Sequence, residues 1–176
     1  MARMRGHPGA ARMAKLLARP TSLAALGGLL LALGILVYLA DRQPGHALLL
    51  PAWPRLADGA WFGSAGAWLP SFVHPLSFSL LTVAALGPSR RPRLGVCAAW
   101  GTVDAAFELG QLPKVAAWVD EALNASGLPK ALSRPVVDYF LHGRFDAADL
   151  AALALGSVAA AAILHFLHEA DDNHAP

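Results

Sequence analysis

The chain has 176 residues, about one domain's worth, with 56% hydrophobic and only 15% charged residues and a positive mean hydropathy, which excludes an ordinary soluble globular domain. Its formal net charge of +2 and pI near 9.0 come largely from basic segments that flank apolar runs, so they do not mark a nucleic-acid footprint. The lone cysteine, Cys97, excludes an intrachain disulfide and a Cys-based metal site and reads as a small core residue.

Residues 1–20 carry Arg3, Arg5, Arg12, Lys15 and Arg19 and are expected to form a basic tail resting on anionic headgroups. The first apolar run, Ser22 to Leu39, is about 18 residues long, close to the ~20 needed to cross ~30 Å of hydrocarbon. It is long for a signal-peptide core, and Tyr38-Leu39-Ala40 is a poor cleavage site, so an uncleaved helix is expected.

From Gln43 to Pro70, four prolines (Pro44, Pro51, Pro54, Pro70) break a stretch that also holds Trp53, Trp61 and Trp68. Such a segment suits the outer membrane interface, where indole rings settle, either as a plain loop or as a lid over an outward-facing site. The second run, Phe72 to Leu86, ends in a turn from Gly87 to Arg93 that holds Arg90, Arg91 and Arg93. The third run, Leu94 to Leu109, needs its polar ends to complete a crossing.

After it, Leu112 to Asp149 contains an amphipathic turn, Val115 to Leu123, then Gly127, Pro129 and Pro135, then the apolar Val136 to Leu141. A short helix lying on the outer surface is expected there. The fourth run, Leu150 to Leu167, carries Ala148, Ala152, Gly156 and Ala160 at four-residue spacing, which reads either as a close helix contact or as simple alanine abundance. A short polar tail follows.

Lys and Arg in the N-terminal tail and the Gly87–Arg93 turn outnumber those in the Asp41–Ser71 segment, which puts the tail and that turn in the cytoplasm. The fold expected is all-α: a four-helix transmembrane bundle, residues 21–168, in a bacterial plasma (inner) membrane. Both termini, residues 1–20 and 169–176, are cytoplasmic tails, and short interfacial segments lie on the outer side.

Polar residues inside this frame are the candidates for function. Asp104, Glu108 and Gln111 share one helical face, with Asp104 about 15 Å and Glu108 about 21 Å along a helix that starts near Leu94. A carboxylate in hydrocarbon costs at least ~2.5 kcal/mol, so two on one face require a polar interior, a cavity or a partner. His74 enters at the outer end of the second helix, and the fourth is preceded by Arg144, Asp146 and Asp149.

Together these define an outward-facing pocket lined by His74, Asp104, Glu108, Gln111, Arg144, Asp146 and Asp149. The expected ion pair is Glu108 with Arg144, held bidentately by the guanidinium. Each residue also has a plainer role. Asp146 and Asp149 read equally as caps of the fourth helix, His74 as the residue before a first-position proline, and Glu108–Arg144 as a structural tie.

His74-Pro75-Leu76-Ser77-Phe78, then Glu108-Leu109-Gly110-Gln111, then Arg144-Phe145-Asp146-Ala147-Ala148-Asp149 with Gly156 beyond resembles the VanZ-like family of small bacterial membrane proteins. That family shows His at the start of the second helix with an aromatic four residues on, Glu-x-x-Gln at the end of the third, and Arg then Asp entering the fourth. The similarity covers roughly residues 70–160. It departs from the family where the aromatic is Phe78 rather than Tyr, where Leu153 stands in place of a frequent Asn, and in a longer connection from Gln111 to Arg144. The resemblance implies a cell-envelope role and hands over no reaction.

Three functional classes follow. A non-enzymatic envelope protein would bind a polar, anionic or lipid-linked headgroup, a cell-wall precursor among them, with Arg144 on a phosphate or carboxylate and His74, Glu108 and Gln111 orienting the rest. Proton- or ion-coupled transport would use Asp104 and His74 as relay groups and, with only four helices, would call for a homodimer. A membrane enzyme with His74 or Glu108 as general base is the least favoured, because no G-x-S-x-G, H-E-x-x-H, P-loop or metal-spaced cluster supports it. The expected partner is the lipid bilayer, with no nucleic acid; no motif implies a cofactor, and His165 with His168 reads as an interfacial pair rather than a metal site.

Overall fold

The computed structural model describes residues 19–41, 61–87 and 92–172. Within them the chain is wholly helical, without a strand: α1 (Pro20–Asp41), α2 (Ala65–Leu86), α3 (Pro92–Gly110), α4 (Pro113–Ala125), α5 (Lys130–His142) and α6 (Ala147–Asp172). The basic tail up to residue 18, the Gln43–Pro70 segment up to residue 60, Arg90 and Arg91 of the short turn, and the last four residues lie outside the described residues.

Three helices, α1, α2 and the Ala147–Leu167 part of α6, are long and apolar enough to cross a membrane. The third expected crossing, α3, differs: its 19 residues include Arg93, Asp104 and Glu108. That charge is why it lacks the apolar continuity of the others.

α2 is the hub, packing against α1, α3 and α6. Glycines set the register. A Cβ on Gly27 would lie 2.9 Å from the Leu81 side chain and one on Gly34 3.0 Å from Val73, while Gly66 abuts Asp41, so α1 runs antiparallel to α2. Gly156 packs on the Phe72 carbonyl and Pro75 and Ser71 pairs with Asp149, so α6 runs parallel to α2. His74 with Asp104 and Thr82 with Trp100 make α3 antiparallel to α2.

The helices therefore segregate their contacts by level. Leu23, Leu76, Leu80, Val83, Cys97, Ala160 and Leu164 form an apolar core toward the end that holds the start of α1 and the end of α2. At the opposite end lie Asp41, the start of α2, the end of α3, the α4–α5 hairpin and the start of α6. Asp41 accepts the backbone N–H groups of Trp61 (2.7 Å) and Phe62 (3.0 Å), tying the end of α1 to the approach to α2 by charge-assisted bonds.

Three boundaries differ from expectation. α2 begins at Ala65, not Phe72, and takes in Trp68 and Pro70, which had been placed in the broken interfacial segment. Each proline deletes one ladder donor, but Pro70 and Pro75 are both buried, and packing such as that of Pro75 on Gly156 offsets the loss. α6 extends beyond Leu150–Leu167 at both ends. The segment after α3 forms two helices of 13 residues, turned at Gly127, whose φ of 71° suits glycine; Pro135 sits inside α5 instead of ending it.

The four-residue series on α6 is mostly a packing face. Ala152, Gly156 and Ala160 are buried, whereas Ala148 is exposed.

Candidate functional site

At its Gly110 end, α3 turns its polar face inward. Asp104 and Glu108, one turn apart, are each only 8% exposed, and Gln111 follows, half-buried, just past the last turn. Four-then-three spacing accounts for this common face.

Asp104 Oδ1 lies 2.9 Å from His74 Nδ1. An ionised carboxylate only accepts, so the imidazole donates from Nδ1. The ring is fixed from behind: His74 stands edge-on to Phe78 at 4.5 Å, and Phe78 stacks on Trp100 at 4.6 Å. The His74 side chain is 46% exposed against 8% for Asp104, so an accessible imidazole covers a buried carboxyl. Asp104 Oδ2 is buried and has no hydrogen-bond partner.

His74 does not stand at a helix start, as the proline beside it had implied. It is the tenth residue of α2, about 14 Å along it, and this depth brings it level with Asp104.

Glu108 Oε1 accepts the backbone N–H of Asp146 at 2.7 Å, joining α3 to the entry of α6. The expected Glu108–Arg144 ion pair is not formed: Arg144 is exposed and is absent from the ion pairs among the described residues. The N-terminal amide of a helix is a dipole-assisted donor, and here it takes the carboxylate. Asp146 Oδ1 accepts the N–H of Ala148 at 2.8 Å, the geometry of a helix N-cap. Asp149 Oδ1 accepts the Ser71 hydroxyl at 2.7 Å, pinning α6 to α2.

Gln111 Nε2 donates to Tyr139 Oη at 3.3 Å, and Gly143 lies so close that a Cβ there would be 2.6 Å from the Gln111 amide oxygen. Burial, with the nearby Tyr38, Glu108 and Asp104, pushes the Tyr139 phenol up to about 12. It stays a neutral donor and acceptor at any physiological pH. Tyr139 is held on α5 by edge contact with Phe107 and Phe140, and Gly110 leaves room for the Phe140 ring.

Of the seven residues expected at the site, His74 and Asp104 meet directly, Glu108 meets Asp146 through its backbone, Asp149 reaches α2, Gln111 reaches α5, and Arg144 stays at the rim. Tyr139 and Ser71 belong to the same end and were not anticipated. Tyr139 was hidden in the apolar stretch Val136 to Leu141, where its hydroxyl was the available signal. Ser71 adjoins the interfacial segment and carries no pattern of its own.

No family model matches this chain, and no curated protein or solved structure matches it.

Proposed function

We propose that the chain is a four-span plasma-membrane protein of the bacterial cell envelope, with both termini cytoplasmic and the α4–α5 hairpin on the outer surface. Its outward-facing polar end binds the headgroup of a lipid or lipid-linked precursor. The VanZ-like resemblance belongs to this reading, since His74, the Glu108-x-x-Gln111 pair and the Arg144–Asp149 entry come from separate segments and gather at one end of the helices.

The observation that carries it is Asp104: a carboxyl that is 8% exposed, has one oxygen unpartnered, and lies beneath a half-exposed imidazole. In a membrane, an ionisable group so placed marks a functional site by default. Arg144, exposed at the rim, is free to take a phosphate or carboxylate.

The test is binding of labelled envelope lipids to the purified chain and to Arg144→Ala. Loss of one phosphate contact is expected to weaken binding roughly tenfold, or about 1.4 kcal/mol. Equal binding by the two proteins overturns the assignment.

The His74–Asp104 contact also favours a second reading, proton- or ion-coupled transport, in which this pair takes up and releases a proton. Flux in liposomes that survives Asp104→Asn unchanged removes it.

A further inference from the structure

We propose that the α4–α5 hairpin is embedded in the lipid leaflet at its own end of the molecule, with one side in the boundary between headgroups and acyl chains and the other in water. The inference rests on the membrane reading above and adds to it an element that lies in the bilayer without crossing it.

The hairpin is two-sided. Ala116, Val119 and Leu123 of α4 and Ser133 and Val137 of α5 are buried or half-buried and mark the seam on which the two helices pack. Counted around each helix, Trp118 stands about 130° to one side of that seam and Leu132 about 120°. Offsets of the same sense in an antiparallel pair fall on the same side, so the two residues share it. Ala122 follows Trp118 one turn on, and Val136 and Tyr139 follow Leu132 at spacings of four and three. The other side carries Asp120, Asn124, Lys130, Arg134 and Asp138, with Leu141 as its only large apolar residue.

The polar side satisfies itself as a wetted surface does: Arg134 pairs with Asp138 at 3.1 Å, and Asn124 donates to Asp120 at 2.9 Å. The apolar side is left open, since Trp118 and Leu132 are each 66% exposed.

Tyr139 fixes which way the apolar side faces. It meets Phe107 and Gln111 at the Gly110 end of α3, and Leu132 continues its stripe about 10 Å beyond that contact along α5. The hairpin packs on the end of α3 and on itself, and no described helix covers Trp118 or Leu132.

Lipid is the occupant the surroundings supply. α1, α2 and α6 are long and apolar enough to cross a membrane and reach this same end, where Trp61 and Trp68 are also exposed at the start of α2. Indole rings collect at membrane interfaces, so three exposed tryptophans at one end mark an interface there. Helices with Trp and Leu on one side and charges on the other lie in that layer, their apolar side about 5–10 Å deep. Tyr139 and Gln111 are then at headgroup depth, where a lipid reaches them from within the leaflet.

The test is a depth measurement with spin labels on the full chain in vesicles of phosphatidylethanolamine and phosphatidylglycerol, with the buried Cys97 replaced by Ser. Single nitroxides on Trp118→Cys and Leu132→Cys are compared with Asn124→Cys and Arg134→Cys on the polar side, and with Leu29→Cys and Leu155→Cys on α1 and α6. All six positions are exposed, so the labels leave the packing intact, and circular dichroism verifies helix content. Labels at 118 and 132 are expected to meet dissolved oxygen in preference to an aqueous nickel chelate, at a depth of about 5–10 Å. Those at 124 and 134 are expected to reverse that preference.

Labels at 118 and 132 that are as open to the chelate as the polar pair overturn the inference. Shielding of both from oxygen and chelate alike overturns it as well, because it marks a protein partner or a second copy on that side. In either case labels at 29 and 155 still report lipid. Failure of the membrane reading is distinct: labels at 29 and 155 are then themselves open to the chelate, and the inference falls with that reading.

Discussion

His74, Asp104 and Tyr139 show how a side chain's surroundings decide what it can do. Asp104 is buried because α3 directs it at α2, and its hydrogen-bond partner there is the more exposed imidazole of His74. Tyr139 has the opposite constraint. Its phenolate is opposed by burial and by two nearby carboxylates, so its titration moves from the ordinary value of 10.0 up to about 12. A group whose folded pKa lies above its unfolded value contributes stability that is complete below the unfolded pKa and lost as pH rises through the folded one. Thermal unfolding in detergent should therefore fall between pH 10 and 12 in the native chain, and less steeply in Tyr139→Phe; identical slopes would show that Tyr139 ionises freely. Asp146 makes a second case at this scale. Its carboxylate caps α6 through the N–H of Ala148, so Asp146→Ala should cost about 1 kcal/mol, lowering Tm by roughly 2–4 °C. An unchanged Tm would mean that the cap is replaced by water.

Between elements, the tightest junction is the crossing of α2 and α6, where Gly156 meets the Phe72 carbonyl and the Pro75 ring. A methyl there overlaps backbone, which cannot swing aside as a side chain can, so Gly156→Ala is expected to destabilise by about 1–3 kcal/mol. Ala154→Val, on the exposed side of the same helix, should stay within about 0.5 kcal/mol. Similar melting of both variants would place Gly156 outside the contact. This junction was half legible beforehand: the series 148, 152, 156 and 160 is visible in the sequence, but nothing local says that Phe72 and Pro75 are what it meets. The polar face of α3 was legible because one helix's geometry fixes it. The level of His74 was not, since it depends on where α2 starts, and that is decided by the burial of Pro70 and Pro75 against propensity. Tyr139 was illegible for a related reason: α5 folds back on α3 through Phe140 against Gly110 and Phe107, a tertiary event. The Arg144 pairing was misplaced because charge matching alone overlooks a backbone amide at a helix start, which competes for the same carboxylate.

For the molecule as a whole, the four-span proposal raises the question of how α3 would enter the membrane. Its carboxylates at Asp104 and Glu108 cost about 2.5 kcal/mol or more each near a helix centre. Its large apolar residues, Leu94, Val96, Val103, Phe107 and Leu109, return about 0.3–0.6 kcal/mol each, so the sum opposes insertion by roughly 2–3.5 kcal/mol. The other long helices carry no such burden and qualify as crossings by length and composition. In the assembled protein the deficit is met by neighbours: His74 of α2 hydrogen-bonds Asp104, and the Asp146 amide at the entry of α6 hydrogen-bonds Glu108. On the four-span proposal, insertion of α3 would depend on α2 and α6 being in place, and the chain's polar site and its topology become one problem. Residues 92–110 placed as a test segment in a glycosylation-mapping reporter should insert in a minority of molecules, and Asp104→Leu with Glu108→Leu should turn that into a majority, since about 5 kcal/mol is removed. Wild-type α3 inserting as completely as residues 20–41 would mean that its carboxylates are tolerated without help, and the partners on α2 and α6 would then have to be explained by function alone.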